Sequence, residues 1–490
     1  MSAAGAFPRF AVVAIDLFER DVRLRLPFRF GAATVRRAPQ AFVRATIRAE
    51  DGREASGWTA EMMIPKWFDK RPSRTNARNI DDLRAALCLA RDAYTSERAA
   101  RTAFGHASYH YESLRAAGAK RELNALVMSY GAALADRAIL DALCRSRGAS
   151  FLEAVRSNLF ALDASLAPDL ADVDFGPFLA SREMPASIAA RHTVGLVDPL
   201  DGGAAIDSPD DGLPVALDRV IARYGHRHFK IKLSGVVDDD LGRLTRIAAT
   251  LGELHGYAVT LDGNEQFGDV ESVRALWRSM RGKRALARLV SSVLYLEQPL
   301  ARQATLTTDV HALAHDVRLL IDEADDSYDA FPDAQRRGYS GVSSKNCKGL
   351  YKSLVNALRC AGAPTRRLFV SGEDLTAQCG LAVQQDLALA GVLGVTHVER
   401  NGHHYVAGFA GQGAAAPEQA AFAAAHPSLY TDGPGGTRLA IRGGRIALDS
   451  LAVPGFASAV LPEPDALSRM RVPESPQAEL RRSAQHGGSR

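Results

Sequence analysis

Charged side chains stand at the ends of short apolar runs along the middle of the chain, at steps of 23 to 35 residues. Each run is rich in β-branched, aromatic or other apolar residues, which is typical of a buried strand. Two runs end in lysines and three end in carboxylates. In chain order the residues are Lys230 and Lys232, Asp262 with Asn264, Glu297, Asp322 with Glu323, and Lys345.

The charges of this set predict its chemistry. Three converging carboxylates repel one another unless a cation joins them, and their oxygens suit a hard divalent ion such as Mg²⁺ or Mn²⁺. Residues two apart on a strand share a face, so Lys230 and Lys232 project together, and we expect each to lower the pKa of the other. One of them could then act as a base near neutral pH. A hard cation beside an amine base predicts removal of a proton from the carbon next to a carboxylate, through an enediolate.

The spacing of the runs indicates the elements that position them. A step of roughly 25–35 residues accommodates one strand and one crossover helix of a parallel sheet. Successive parallel strands with functional groups at their carboxyl ends are typical of a (β/α) barrel. We therefore predict an α/β fold with a TIM-type barrel over 191–435, in which SIAARHTVGLVDP is the first strand and GVTHVERNG the eighth.

The flanking segments differ in pattern from the barrel. The pattern of residues 1–190 predicts an α+β capping domain. Apolar and polar residues alternate over 9–60, as in strands, and an inserted block of Ala- and Leu-rich helices follows. Residues 436–461 are expected to return to the cap, and within them GGTRLAIRGGRIAL is expected to form a hairpin that docks on the cap sheet. Residues 462–490 are rich in Pro, Arg, Ser and Gly, which predicts a disordered tail.

Composition excludes several other classes of protein. The 490 residues are 47% hydrophobic and 24% charged, with a net charge of only +4, which argues against nucleic acid as a partner. The five cysteines show no CxxC spacing, and the histidines, including His403 and His404, are not spaced like metal ligands. No stretch is long and apolar enough for a signal peptide or a membrane span. We expect a cytoplasmic protein with no membrane partner.

The five motifs KIK, LDGNE, YLEQP, IDEA and SSKNCKG resemble, in order and spacing, the barrel of the enolase superfamily. The likeness is greatest to its muconate-lactonizing enzyme and mandelate racemase-like branch with K-x-K and a sixth-strand lysine. It extends over about residues 10–455, although only the five motifs are specific. The resemblance implies a modified enolase-like barrel that binds Mg²⁺ (or Mn²⁺). It implies the metal ligands Asp262, Glu297 and Asp322, the bases Lys232 and Lys345, a tuning role for Lys230 and a hydrogen-bonding role for Asn264.

Some assignments remain open at this stage. Asp322 is preferred to Glu323 as the third metal ligand because the first acid of the pair generally binds the metal in the superfamily. Glu323 is a candidate substrate-binding residue. Glu373, which lies in SGEDL on the seventh strand, is another. Trp67 and Lys66 join them, in the apolar segment Met62–Phe68. This segment either packs the cap against the barrel or forms a mobile lid.

The resemblance implies an isomerase, a racemase or epimerase, acting on a small-molecule carboxylate, and a homo-oligomer. A lyase that dehydrates an acid sugar or hydroxy acid, and a cycloisomerase, are alternatives within the superfamily. No His–Asp dyad is found on strands six and seven. The eighth strand carries His397 and Glu399 in place of the Asp-x-Asp motif that would resemble dipeptide epimerases. A Schiff-base aldolase and a non-catalytic barrel are less favoured, because neither needs three converging acids.

Overall fold

The computed structural model describes residues 7–203, 209–363, 365, 367–433 and 435–473. An amino-terminal cap of three long strands and a block of helices sits beside a closed eight-stranded barrel. Within the described part, no helix has both the length and the apolar character needed to cross a membrane.

The cap is an antiparallel sheet covered by helices. Its strands alternate between buried and exposed residues, and Gly52, at φ +85°, makes the turn between the second and third strands. The long third helix is buried along most of its length against the sheet, which it approaches closely at Gly57, where a Cβ would lie 2.1 Å from the backbone nitrogen of Ala142. The strands are β1 (Phe10–Phe30), β2 (Ala33–Ala49) and β3 (Glu54–Met62), and the helices are α1 (Asn76–Ser96), α2 (Ala103–Ala119), α3 (Ala125–Arg147), α4 (Phe151–Arg156) and α5 (Phe175–Ala180).

The barrel has eight parallel strands and closes between its first and last strand, which confirms the predicted fold class. The strands are β4 (Ser187–Val194), β5 (His228–Lys232), β6 (Ala258–Asp262), β7 (Val293–Glu297), β8 (Leu319–Ile321), β9 (Gly341–Ser344), β10 (Phe369–Gly372) and β11 (His397–Arg400). The helices are α6 (Leu217–Tyr224), α7 (Val237–Leu251), α8 (Val270–Gly282), α9 (Ala287–Ser291), α10 (Arg302–Thr305), α11 (His311–Ala314), α12 (Ala330–Gln335), α13 (Leu350–Gly362), α14 (Leu381–Val392), α15 (Gly402–Tyr405), α16 (Gly408–Gly411) and α17 (Ala416–Ala425).

The carboxyl-terminal strands are β12 (Tyr430–Thr431), β13 (Arg438–Leu439), β14 (Arg445–Ala447) and β15 (Ser468–Arg469). The expected docking of the GGTRLAIRGGRIAL hairpin on the cap sheet is wrong, because its strand β14 pairs antiparallel with the start of β4 in the barrel. The ladder between β4 and β5 begins only at Arg191, so the earlier residues of β4 have backbone groups free to pair with β14.

The end of the described chain does return to the cap. Phe456 stacks on Phe151 of α4 at a centroid distance of 4.1 Å, and its backbone N–H donates to Asp141 of α3 at 2.6 Å. Strand β15 pairs with β1. The prediction of disorder from residue 462 is therefore wrong for 462–473, where backbone pairing orders a polar sequence. The rest of the predicted tail lies outside the described residues.

Candidate active site

Neighbouring barrel strands bring the predicted acids and lysines to one level. Lys232 pairs in register with Asp262, and Asp262 pairs in register with Glu297, so three adjacent strands end together. Asp322 follows β8 directly and Lys345 follows β9 directly. All five side chains are at least nine-tenths buried. The five motifs therefore meet at the carboxyl end of the barrel, as the strand pattern predicts.

Lys230 lies at the centre of a carboxylate cage. Its Nζ is 2.7–3.0 Å from oxygens of Asp262, Glu297, Glu373 and Glu399. Burial lowers the pKa of Lys230, but the four carboxylates raise it by a larger amount. The pKa therefore lies well above its usual value. The expectation that the paired lysines lower each other's pKa is thus wrong for Lys230, because the acids outweigh the second ammonium.

Lys232 projects on the same face as Lys230, as the period of the strand predicts. Its Nζ donates to Oδ2 of Asp262 at 2.6 Å, the same oxygen that lies 3.0 Å from Lys230. Burial raises the pKa of Asp262, but the two ammonium groups lower it more, so the carboxyl is ionised. The first predicted metal ligand and the first predicted base are therefore in direct contact.

Lys345 makes the matching contact on another side of the site. Its Nζ donates to Oδ2 of Asp322 at 2.7 Å, and Lys348 lies 3.5 Å from Oδ1 of the same carboxylate. Burial raises the pKa of Asp322, but Lys345 and Lys348 hold it well below its usual range. Lys348 is itself buried, and its Nζ also donates to Oγ of Ser343 at 2.6 Å.

Glu373 and Glu399 form the floor of the site below Lys230. Glu373 accepts from Tyr295 at 2.9 Å and from the buried guanidinium of Arg191. Glu399 accepts from Thr193 at 2.6 Å. Arg191 was not assigned a role from the sequence. An arginine within an otherwise apolar strand indicates a buried guanidinium, which requires an acidic partner.

A polar layer separates this centre from the cap. Lys70 donates to Oε1 of Glu323 at 2.9 Å and to the carbonyl of Asn264 at 2.7 Å, and it lies 2.7 Å from Glu265. Asn264 donates from Nδ2 to the same oxygen of Glu323 at 3.3 Å. Lys70, which the sequence reasoning missed, is thus the cap cation that reaches the strand ends.

Lys66 does not reach the strand ends. Its Nζ donates to the backbone carbonyls of Arg71, at 3.0 Å, and Arg74. Both Lys66 and Lys70 line an outer cavity of about 1060 Å³, together with Glu265 and Arg302. Of these two lysines, Lys70 is the one that contacts the residues at the strand ends.

The segment Met62–Phe68 closes the site from the cap side. Arg302 of α10 donates to the carbonyls of Trp67, at 3.0 Å, and Phe68, at 2.8 Å, and so ties the segment to the barrel. Nε1 of Trp67 is buried and has no hydrogen-bond partner among the described residues. The ring of Trp67 faces Lys345. Both packing and closure over a substrate are compatible with this arrangement.

The donor set fits a divalent cation. Burial, Asp262 and Glu373 together raise the pKa of Glu297 well above its usual value, because the carboxyl lies among like charges. In the described part, Oδ1 of Asn264 and Oε2 of Glu323 are buried oxygens without a hydrogen-bond partner. Oxygen ligands in this number suit Mg²⁺ or Mn²⁺.

Comparison with known proteins gives likeness in structure alone. No protein-family model matches the sequence, and no curated protein sequence matches it. An enolase of Mycobacterium smegmatis solved with tartrate is 14% identical with a TM-score of 0.57, over 98% of this chain and 93% of that one. L-talarate/galactarate dehydratase from Salmonella typhimurium is 15% identical with a TM-score of 0.54, over 93% and 91%. A dipeptide epimerase of Enterococcus faecalis solved with Mg and L-Leu-L-Tyr is 13% identical with a TM-score of 0.55, over 91% and 99%.

These structures share the architecture of this chain across cap and barrel. The predicted resemblance to the enolase superfamily is therefore confirmed at the level of the fold. The three neighbours carry out or are named for different reactions, so the chemistry of this chain has to be argued from its own residues.

Proposed function

We propose that this protein is a metal-dependent enzyme that removes the α-proton of a carboxylate substrate, and that its reaction is racemisation or epimerisation. The observation that carries the proposal is the placement of two lysines. Lys232 ends the second barrel strand and Lys345 follows the sixth, four strands apart in a barrel of eight, so they approach the centre from opposite sides. Each ammonium contacts a different predicted metal ligand.

The divalent ion fits between the acids. Asp262, Glu297 and Asp322 would hold it, and when bound it supplies the positive charge that stabilises an enediolate. Lys230 contacts Asp262 and Glu297, and thus fixes the carboxylates from below. Asp322 remains the proposed third ligand, with Glu323 as the neighbouring candidate whose Oε2 lacks a partner among the described residues.

The two lysines account for a proton transfer at one carbon. A neutral amine on one side takes the α-proton, and the electron pair of the C–H bond moves into the enediolate. The ammonium on the other side then gives its proton to the opposite face of that carbon. The carbon is inverted, and the two lysines have exchanged protonation states, so no other reactant is required.

The alternatives use this arrangement less completely. Syn dehydration removes a proton and a hydroxyl from one face, so it needs a single base, and cycloisomerisation also leaves one lysine without a transfer. A Schiff-base aldolase needs a neutral amine as a nucleophile. That reaction uses one lysine and has no need of three converging carboxylates or of a second lysine across the barrel.

The α-carbon of the substrate would lie between Lys232 and Lys345, with the rest of the molecule toward the cap. Trp67 offers an unpartnered N–H, and Glu323 and Asn264 offer unpartnered oxygens, so hydroxyl or amide groups of a substrate could bind all three. Lys70 lines the cavity on the cap side, whereas Glu373 lies below Lys230, whose ammonium it contacts. The polar groups favour a small substrate, an acid sugar or an N-substituted amino acid.

The test is exchange of the α-proton in D₂O. Purified protein with Mg²⁺ is incubated with a panel that begins with tartrate and dipeptides, and NMR follows deuterium at the α-carbon. We expect deuterium in the substrate and in its epimer, and none in the Glu297→Gln variant. Loss of water with a keto-acid product would identify a dehydratase instead. No exchange on any member, with a metal shown to be bound, would oppose the proposal.

A further inference from the structure

Four buried histidines cluster outside the barrel wall, away from the carboxylates. On β4, Arg191 and Thr193 face the interior, where they contact Glu373 and Glu399, so His192 between them faces outward. His226 precedes β5, and His403 and His404 lie on α15 after the eighth strand. All four rings are at least nine-tenths buried. These residues are not spaced along the chain like metal ligands, because they come together only when the barrel closes.

Three of the rings form a near-equilateral triangle. The ring centroids of His192, His226 and His403 are 5.2, 5.5 and 5.3 Å apart. One potential ligand nitrogen from each ring lies within 4.8 Å of the others. A zinc ion with three imidazoles at about 2.0–2.1 Å in tetrahedral geometry separates the ring centroids by about 5 Å. The spacing of the ring centroids therefore matches that of a three-imidazole zinc site, and rotation of the rings would bring the nitrogens, which lie within 4.8 Å of one another, to the roughly 3.3 Å that tetrahedral bonds require.

The hydrogen bonds leave ring nitrogens available. Nδ1 of His226 lies 3.1 Å from the carbonyl of Ala190, which fixes the N–H at Nδ1 and leaves Nε2 with a lone pair and no partner in the described part of the chain. Nδ1 of His192 also lacks a hydrogen-bond partner there. Both ring nitrogens of His403 are buried and have no hydrogen-bond partner among the described residues.

The protonation state of the cluster suits a metal. Burial lowers the pKa of His192, His226 and His403, and that of His226 falls to about 4, so the rings are neutral. Neutral imidazole is the ligand form of histidine. Buried ring nitrogens without partners cost free energy, which an ion would recover. His404 is a further ligand candidate in the surroundings. Its Nε2 has no hydrogen-bond partner among the described residues and lies 4.0 Å from Oδ2 of Asp198.

We propose that His192, His226 and His403 bind a zinc-class transition-metal ion, with His404 or a water as the fourth ligand. The ion would join β4, the entrance of β5 and the helix after β11, which is the seam where the barrel closes. It is a structural site, distinct from the oxygen-ligand centre inside the barrel. Its preference is for imidazole-binding metals, whereas the carboxylate centre prefers Mg²⁺.

The experiment uses the full-length Glu297→Gln protein, in which the carboxylate centre is weakened. The protein is purified, stripped with a chelator, incubated with Zn²⁺ or Co²⁺ and dialysed, and the bound metal is counted by elemental analysis. We expect one Zn²⁺ per chain, and with Co²⁺ the visible absorption bands of a tetrahedral site. Zn²⁺ should raise the melting temperature of the stripped protein, and the same concentration of Mg²⁺ should not.

Variants locate the site. His226→Gln and His192→Gln should each lower zinc retention at least tenfold and remove the Co²⁺ bands. His110→Gln is the matched control, because His110 is also buried and has a ring nitrogen without a described partner, but lies in the cap. If the histidine variants do not fold, the stripped parent protein still decides the matter. If the stripped protein retains no zinc and its melting temperature does not change with Zn²⁺, the proposal is wrong. The histidines are then only a packed cluster of imidazole rings.

Discussion

The ammonium of Lys345 lies over the face of Trp67, with Nζ 4.1 Å from the ring centroid. This contact joins the end of a barrel strand to the cap segment Met62–Phe68. A cation within about 6 Å of an indole face is attracted by the ring. Through this contact the cap segment directly affects the environment of one of the two proposed bases.

Trp67→Ala should raise KM more than tenfold for a well-fitting substrate, a loss of at least ~1.4 kcal/mol, while proton exchange on a minimal α-hydroxy acid changes little. Phe68→Leu is the control. Phe68 packs edge-on against Trp67 and Tyr130, so its replacement should lower the melting temperature without changing KM. If Trp67→Ala lowers only the melting temperature, Trp67 is a packing residue and the lid interpretation fails.

Glu297→Gln should abolish turnover and weaken Mg²⁺ binding, because it removes one charged ligand from the centre. Calorimetric titration with Mg²⁺ measures the affinity, and the exposed Glu271→Gln on α8 serves as the control. Asp322→Asn and Glu323→Gln, titrated in the same way, identify the third ligand as the residue whose loss weakens binding more. Unchanged affinity in Glu297→Gln would exclude the proposed metal centre.

Lys232→Ala and Lys345→Ala should each eliminate racemisation, yet each should retain α-proton exchange on one enantiomer only. The physical reason is that one base remains on one face of the carbon in each variant. NMR in D₂O with separate enantiomers measures this selectivity. A dehydratase would instead need only one lysine for proton removal, and full turnover in both variants would exclude a two-base reaction.

Lys70→Met should raise KM roughly tenfold or more, because it leaves the buried Glu323 and Glu265 without their shared cation at the site. Lys66→Met is its matched partner. Lys66 holds backbone carbonyls of the same loop, so its replacement should lower the melting temperature and change KM less. The reverse pattern would return the substrate-binding role to Lys66.

The cap should lose stability as pH rises toward neutrality, through Asp136. Burial raises the pKa of this carboxyl to about 7, although its hydrogen bond from Tyr94, at 2.7 Å, lowers it. The folded state then holds a proton that the unfolded state releases near pH 4, so the stabilisation is complete below about pH 4 and is lost as pH rises through about 7. Asp136→Asn should raise the melting temperature more at pH 8 than at pH 5. The exposed Asp172→Asn should show no such difference.

The sequence predicts the barrel and its strand ends well because their signal is local. A buried strand followed by a charged residue is visible in one short run, and Lys232, Asp262 and Glu297 fall on adjacent strands at one level as that pattern requires. The pairing of Lys230 with Glu399, 169 residues away, is not local. Its effect is to reverse the expected pKa shift, since the charges that decide the shift come from four other strands.

The remaining differences have the same origin. Lys66 and Lys70 are four residues apart in one loop, and the left-handed φ of Lys66, +66°, together with its hydrogen bonds to loop carbonyls, directs only Lys70 toward the strand ends. No periodicity reveals such a turn. His192 and His403 are 211 residues apart, and closure of the barrel alone brings them together.

Strand β15 completes the edge of the cap at β1, where Arg469 pairs with Phe18 and its guanidinium lies 3.0 Å from Asp16. About 450 residues separate the two strands along the chain. At roughly 5–20 residues per second, the ribosome delivers β15 some 20 to 90 seconds after β1. During that interval the edge of β1 around Phe18 presents unpaired backbone groups. The edge of β1 can therefore pair with a strand of another chain until β15 has been translated.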